Sequence, residues 1–386
     1  MKMFLHALIP IVILCPASCR DGEEKLKSQL STTMEKATRT IYAGGHSENC
    51  DNVQIPGYWR NGEWIELPAP SSGTRKSVTG LALKGVEIYA SGYTYPSVIS
   101  GVKGVYWKNG VLSDLKTPSA GFSNFIGARI VIKGEDIYIG GYSSYFSSEK
   151  STMSVAMYWK NDTVTALTSE KINSRINDMT ISGNDIYAAG GVQNEQKIMV
   201  PGYWKNWEFV KLTPADPAKS SEAKAITVIG TNVYAAGYTK NDSGVELPVY
   251  WINGAVKALA AVGDSAKSDM EVTSIAVSGS DVYVGGYIDN SSGATTAGYW
   301  KNEVWTQLPS LDQGSSILLA MTASGPDVYA AGGSGGTTRY ENTVGSKMSA
   351  ASWVPGYWKN GVFNALTPKC KGRTSGVEYI LVVDSP

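Results

Sequence analysis

Seven Tyr-Trp pairs run through this chain, each followed two residues later by an asparagine: Tyr58-Trp59, Tyr106-Trp107, Tyr158-Trp159, Tyr203-Trp204, Tyr250-Trp251, Tyr299-Trp300 and Tyr357-Trp358. Each has an upstream partner reading like Asp-Val-Tyr-Ala-Ala-Gly, with tyrosines at Tyr42, Tyr89, Tyr138, Tyr187, Tyr234, Tyr283 and Tyr329. Those tyrosines are 47, 49, 49, 47, 49 and 46 residues apart. A period of this length means a solenoid or a propeller, and it overrides the two or three domains that length alone suggests.

Residues 275–308 resolve the repeat into strands. Ile275-Ala276-Val277 is a short apolar run, Gly279-Ser280 a turn, and Val282-Tyr283-Val284 a second strand. After a polar loop come Gly298-Tyr299-Trp300-Lys301, a turn at Asn302-Glu303, and Trp305 to Leu308. The second turn is Asn-Gly at Asn61, Asn109, Asn253 and Asn360, and both residues tolerate the positive φ that a tight hairpin needs. Each repeat therefore predicts a four-stranded antiparallel meander, a propeller blade. No apolar stripe of helical period survives the glycines. First strands such as Leu81-Ala82-Leu83 and Ile130-Val131-Ile132 are apolar or small on both faces, as a sheet between two neighbours requires.

The first tyrosine repeat, Thr40 to Gly44, lacks an apolar strand before it, whereas Tyr379-Ile380-Leu381-Val382-Val383-Asp384 has that pattern with nothing after it. The expected fold is thus all-β: a seven-bladed β-propeller of four-stranded blades, closed by the C-terminal strand completing the N-terminal blade. Closure removes the open sheet edges that would otherwise aggregate.

At the N-terminus, Lys2, an apolar run from Phe4 to Leu14, and Pro16-Ala17-Ser18-Cys19 form a processing segment. It resembles the lipobox of bacterial lipoproteins, with Pro16 where that family has an aliphatic residue. The resemblance implies a signal peptide over 1–18 and lipidation at Cys19. A polar tether then reaches residue 38, and the propeller spans 39–386. The alternative is an ordinary signal peptide cut nearby. Acidic residues after Cys19 (Asp21, Glu23, Glu24) resemble a surface-export signal of Gram-negative lipoproteins. The expected location is the outer membrane or cell surface through the lipid anchor, alternatively periplasmic or secreted.

With Cys15 in the leader and Cys19 lipidated, Cys50 and Cys370 remain. Strands alternate in direction, so loops between strands two and three share a face with the connections between blades. Cys50 lies in the first kind of loop and Cys370 in the connection from blade seven back to blade one. Both fall at the seam, in an exported protein where disulfides persist, and are expected to bond.

The Gly279–Tyr287 unit, Gly-Ser-Asp-Val-Tyr-Val-Gly-Gly-Tyr, resembles the repeat of secreted bacterial β-propellers of the SBBP and NHL-like kind. The Tyr-Trp-Lys-Asn-Gly unit at 106–110 and 357–361 is similar to that of repeat lipoproteins from Gram-negative bacteria. The resemblance implies the fold. Its motif residues are strand and turn positions, so it carries over no catalytic residues.

Composition narrows the function further. With 34 basic and 34 acidic side chains, no whole-chain field attracts nucleic acid, and none is expected as partner. His6 leaves with the leader, so His46 alone remains; this excludes a multi-histidine metal site and leaves a Ser-His-Asp triad without a supporting motif. No phosphate-binding glycine loop occurs in a strand–helix setting. Asn241-Asp242 and Asp289-Asn290, each before Ser and Gly, offer calcium ligands without the density of a dedicated site. No cofactor is expected. The repeat tryptophans recur at one strand position in every blade, which packing demands and sugar stacking does not.

The two faces differ. Turns between strands one and two, and three and four, are tight, while opposite loops such as Tyr142 to Ala156 and Gly333 to Pro355 are long and varied. Variable loops on a rigid scaffold are where function resides. Four positions after each repeat tyrosine stand His46, Tyr93, Tyr142, Gly191, Tyr238, Tyr287 and Gly333. Blade connections add Arg75, Lys76, Phe122, Phe125, Arg129, Lys171, Arg175, Lys371 and Arg373. The aromatic and basic members form the expected ligand surface. The competing reading is a merely soluble face, since Glu170, Asp178, Glu222, Asp264 and Asp269 lie among them. The expected function is that of a monomeric, non-catalytic, lipid-anchored propeller binding a protein or glycan there. The alternatives are an extracellular carbohydrate-active hydrolase or lyase using loop carboxylates, and a structural subunit of an envelope complex.

Overall fold

The structure is a computed structural model that describes residues 39–69, 75–95, 101–116, 124–146, 152–260, 262, 270–289, 294–335 and 353–384. Cys19, the expected lipidation site, and the expected leader lie outside them. Two units are distinguished: Met1–Thr40 with Asp384–Pro386, and Ile41–Val383. In the first, Arg39 Nε donates to Asp384 Oδ1 at 2.7 Å. The second is the propeller.

Seven four-stranded antiparallel sheets form the blades. Six are consecutive in sequence. The seventh takes its first strand from Ser375–Asp384, followed by Arg39–Glu48, Gln54–Arg60 and Glu63–Glu66. The expected closure is what the fold contains. First strands are innermost, since those of neighbouring blades touch one another. In blades two to seven they are Arg75–Lys84, Asn124–Lys133, Ser174–Ser182, Ser221–Ile229, Met270–Ser278 and Ser316–Ser324.

Among the described residues there is no single central core. Seven apolar clusters occupy the seven spaces between adjacent blades, each mixing residues of both. The repeat tryptophan is the largest member of each, at 0–2 % exposure. In six blades its indole N–H donates to a carbonyl just past the fourth strand of the preceding blade. Trp251 Nε1 to Thr213 O at 2.7 Å is one example, and Trp59 Nε1 to Thr367 O at 2.7 Å does the same across the seam. Apolar bulk and one polar handle on the same ring explain why the position is Trp in every repeat.

The turn asparagine also has two tasks. Its φ is positive in all seven blades, from 46° to 53°. Its Oδ1 accepts the amide N–H that starts the second strand, as in Ile88 N to Asn109 Oδ1 and Val328 N to Asn360 Oδ1, both 2.9 Å. The next residue is glycine in four blades and Asp162 in a fifth, and two blades place a large residue there at positive φ: Trp207 and Glu303, at 76° and 75°. Each reaches back to the preceding blade. Trp207 stacks on Tyr158 at 3.7 Å between centroids, and Glu303 Oε1 accepts from Tyr250 Oη at 2.8 Å. Backbone strain there coincides with an inter-blade contact.

At the seam, Cys50 and Cys370 are disulfide-bonded, as the sequence predicts, with Cα atoms 5.4 Å apart and a sequence separation of 320. Around them, Glu48 N donates to Thr374 O at 2.9 Å and Ser47 Oγ meets Ser375 Oγ at 2.8 Å.

Candidate functional site at the channel mouth

In blades two to seven the first strand slips register against the second, leaving one extra residue: Thr79, Ala128, Asn177, Lys224, Thr273 and Leu319. Such β-bulges re-aim a side chain. In blade one the equivalent residue is Glu378. The reason is that Gly45 abuts the Gly376 carbonyl as Gly237 abuts that of Glu222, and both carbonyls lie two residues before the extra one. Three bulge residues tie adjacent blades together by donating to the carbonyl before the next bulge. They are Thr79 Oγ1 to Gly127 O (2.7 Å), Asn177 Nδ2 to Ala223 O (2.9 Å) and Thr273 Oγ1 to Leu318 O (2.9 Å).

Charged side chains gather around these bulges, toward the long-loop end of the channel. Arg129 Nε lies 3.0 Å from Asp178 Oδ1, its Nη1 donates to Thr79 O at 2.6 Å, and the guanidinium sits 4.9 Å over the Tyr379 ring. Burial pushes the Asp178 carboxyl above its ordinary range, against the pull of Arg129. In blade five, Glu222 accepts from Asn177 Nδ2 (2.8 Å), Tyr238 Oη (3.2 Å) and Lys224 Nζ (3.3 Å). Burial opposes its charge, but Lys224, Asn177 and Arg175 outweigh burial and hold the carboxyl below its usual range. Lys224 is half-buried, which opposes its charge, yet Glu222, Glu271 and Glu246 keep its ammonium above the ordinary value. Burial raises Glu246. Tyr287 Oη donates to Glu271 Oε2 at 3.1 Å. His46 Nδ1 lies 3.2 Å from Ser77 Oγ and 3.6 Å from Glu378 Oε1.

A cavity of about 200 Å³ opens among these groups. Its wall carries two cations (Arg129, Lys224), two carboxylates (Glu271, Glu378), two hydroxyls (Thr79, Thr273) and the apolar Val272 and Leu319. A second, open cleft of about 430 Å³ lies at the rim of blade four, among Lys171, Lys197, Lys211, Gln193, Asn194 and Glu195.

The predicted ligand residues scatter over three environments. Tyr93, Tyr142, Tyr238 and Tyr287 stand opposite Ser77, Ile126, Glu222 and Glu271 of the first strands. With His46 they form an inner ring rather than an open surface: His46, Tyr238 and Tyr287 are 6, 8 and 7 % exposed. Where the ring residue is glycine, a neighbour fills the space, Met199 at Gly191 and Trp353 at Gly333. Arg175 joins the cluster with its guanidinium 5.4 Å over Tyr142, its Nε lacking a hydrogen-bond partner. Arg373 instead braces the seam, donating to Cys50 O at 3.1 Å and to Asn52 Oδ1. Lys76 is buried, which lowers its pKa, and Arg75 is half-buried. Phe122 and the Phe125 side chain lie outside the described residues. So does Asn290 of one calcium candidate. In the other, Asn241 Oδ1 accepts its own turn amides and Asp242 pairs with Lys219 at 2.6 Å.

Lys224, Glu246, Glu271 and Glu378 escaped the sequence reading. For Lys224, Glu271 and Glu378 the signal is an offset within the repeat, a charge at the bulge or two residues before it, whereas Glu246 starts the third strand of its blade.

No family model matches the chain, and no curated protein does. Among solved structures it is similar to a puromycin hydrolase, at 10 % identity and a TM-score of 0.54 over 86 % of this chain and 53 % of that one. AofleA from Arthrobotrys oligospora gives 10 % identity and a TM-score of 0.44, covering 80 % and 89 %. The Myceliophteria thermophila Cps50 β-propeller domain gives 10 % and 0.39, covering 74 % and 92 %. The chain spans about half the length of the hydrolase, 53 %. The first likeness extends to fold alone, and function rests on the site.

Proposed function

We propose that this chain is an exported, lipid-anchored β-propeller that binds a protein or glycan ligand through its long-loop face. The observation that carries this reading is the charged cluster at the channel mouth. Packing accounts for the tryptophans, tyrosines and turn asparagines, whereas ionic groups around a cavity stabilise a fold poorly compared with apolar side chains of the same size. Binding sites combine such convergent polar groups with a rigid frame. The leader pattern before Cys19 and the Cys50–Cys370 bond support export.

Immobilised protein should retain ligands from a glycan array or from an envelope-protein extract. Glu271 is exposed, so Glu271→Lys should leave the fold intact and cut retention by roughly tenfold, the scale of one charge-assisted contact. Val86→Glu, at a fully exposed position on the tight-turn face, should change nothing. An empty result from both panels, or equal loss in both variants, would overturn the reading.

One observation favours a carbohydrate-active hydrolase or lyase instead. The Glu222 and Glu246 carboxyls are pushed in opposite directions, as in acid–base pairs. Three donors already occupy Glu222, which suits a structural anion better. Turnover of an array glycan, abolished by Glu246→Gln, would select the enzyme.

A further inference from the structure

Blades one, four and five join their second and third strands by the same five-residue loop. Asn49, Asn194 and Asn241 open it, and each Oδ1 accepts the amide N–H four residues on, from Val53 (2.9 Å), Ile198 (2.9 Å) and Val245 (3.0 Å). One backbone bond ties each loop to the connection from the preceding blade: Glu48 N to Thr374 O, Gln193 N to Asn173 O, and Lys240 N to Ser220 O. The three sites therefore align residue by residue. In blades one and five a cation from the connection crosses to the loop. Arg373 donates to Asn52 Oδ1 and to Cys50 O, and Lys219 Nζ stands 2.6 Å from Asp242 Oδ1. Blade four has Ile172 at the crossing position and Glu195 where Asp242 stands. No such bridge forms, and the cleft of about 430 Å³ lies open there.

The fourth loop residue has positive φ in all three blades: Asn52 at 63°, Lys197 at 63° and Gly244 at 79°. Asparagine and glycine tolerate that region, whereas lysine is strained in it. Trp207 and Glu303 hold similar φ and contact the preceding blade. The Lys197 ammonium has no hydrogen bond or ion pair within the chain. A side chain kept against its backbone preference, with no internal partner, is of the kind that serves a binding site.

Two further lysines share the wall, Lys171 from the connection and Lys211 from the outer strand. Neither has a carboxylate within 4.0 Å, unlike Lys205 and Lys219 nearby, and Glu195 is the one acid on the wall. A concave surface lined by one sign of charge concentrates counter-ions. The amides complete the wall. Asn194 spends its Oδ1 on the loop and keeps two N–H donors, while Gln193 gives Nε2 to Lys197 O and keeps its Oε1. Such groups suit hydroxyls beside an anion. A protein partner would need a large apolar or aromatic anchor, and the wall offers only Ile172. The volume falls within the roughly 300–1,000 Å³ of small-ligand sites.

We infer that this cleft binds an acidic polysaccharide, its anionic groups at Lys171, Lys197 and Lys211 and its hydroxyls at Gln193 and Asn194. The inference rests on the long-loop face being a ligand-binding surface, and it names the ligand class and the place on that face.

The test is biolayer interferometry of the intact chain on immobilised polygalacturonate, dextran sulfate, neutral dextran and poly-L-glutamate. At least one of the two acidic polysaccharides should be bound, more weakly as salt rises, and dextran should not. Either one supports the inference, and the preference between them names the anion. Lys171→Gln, Lys211→Gln and Lys197→Gly should each weaken binding by roughly threefold or more. Lys197→Gly should keep or raise the thermal midpoint, since glycine adopts this φ freely. Lys133→Gln, an equal charge change at the tight turn before Gly134, should change nothing. Neither acidic polysaccharide bound, poly-L-glutamate bound better than both, equal loss in Lys133→Gln, or a lowered midpoint in Lys197→Gly would each overturn the inference. A protein or neutral glycan captured on the panels above, lost in Glu271→Lys but kept in Lys197→Gly, would leave the face reading standing and remove this one alone.

Discussion

A chain stopped at Thr374 should fail to form a cooperative, monomeric propeller. The missing strand supplies Val377 and Ile380, at 1 and 2 % exposure, to the cluster shared with blade seven. It supplies Tyr379, Leu381 and Val383 to the cluster shared with blade two. At about 1.5–3 kcal/mol for each fully buried apolar side chain, and less for those partly buried, the loss is on the order of 10 kcal/mol. That is comparable to the whole stability of a typical domain, about 5–15 kcal/mol. Truncation would also bare the edge of Arg39–Glu48, which would recruit other chains. Gel filtration should show aggregates or oligomers, and thermal melting should lose its sharp transition. A peptide of residues 375–386 added in excess should restore both. A truncated chain that melts like the intact one would contradict the expectation.

The Cys50–Cys370 bond is next in magnitude. It closes a span of 320 residues, and in the chain-entropy model a loop this long contributes on the order of 5 kcal/mol by restricting the unfolded chain. Cys50→Ser with Cys370→Ser should therefore lower the thermal midpoint by roughly 10 °C without altering the fold, since the strand pairing and Trp59 still bridge the seam. Intact mass after alkylation should find both thiols blocked until reduction. Two thiols alkylated without reduction, or a double variant as stable as the parent, would sink this assignment.

Parts of the molecule that every blade must repeat were legible in the sequence. Trp251 and its counterparts fill the same inter-blade space, and Asn253 and its counterparts make the same turn, so periodicity exposed both. The closing strand was legible because Tyr379 to Asp384 carries the pattern missing before Thr40. The site was harder to read, because it consists of departures from the repeat. Glu378 stands where Thr79 and Thr273 stand, and nothing in composition distinguishes a bulge position from its neighbours. The ring of His46, Tyr238 and Tyr287 was found as a ring but expected on the surface. Pairing with the first strand draws it inside, where Glu222 and Glu271 take up the tyrosine hydroxyls. A single extra residue per strand decides which way these side chains face, and register of that kind is set by tertiary packing.

Hydrogen–deuterium exchange read by mass spectrometry is the most direct test of circular closure. Amides of 375–384 and 41–48 should exchange as slowly as those of 221–229, the first strand of blade five, and should open with them in a single cooperative step. Fast exchange across 375–384 beside a protected 221–229 would mean that the tail does not complete the first blade, and the seam and channel mouth described above would not exist in solution.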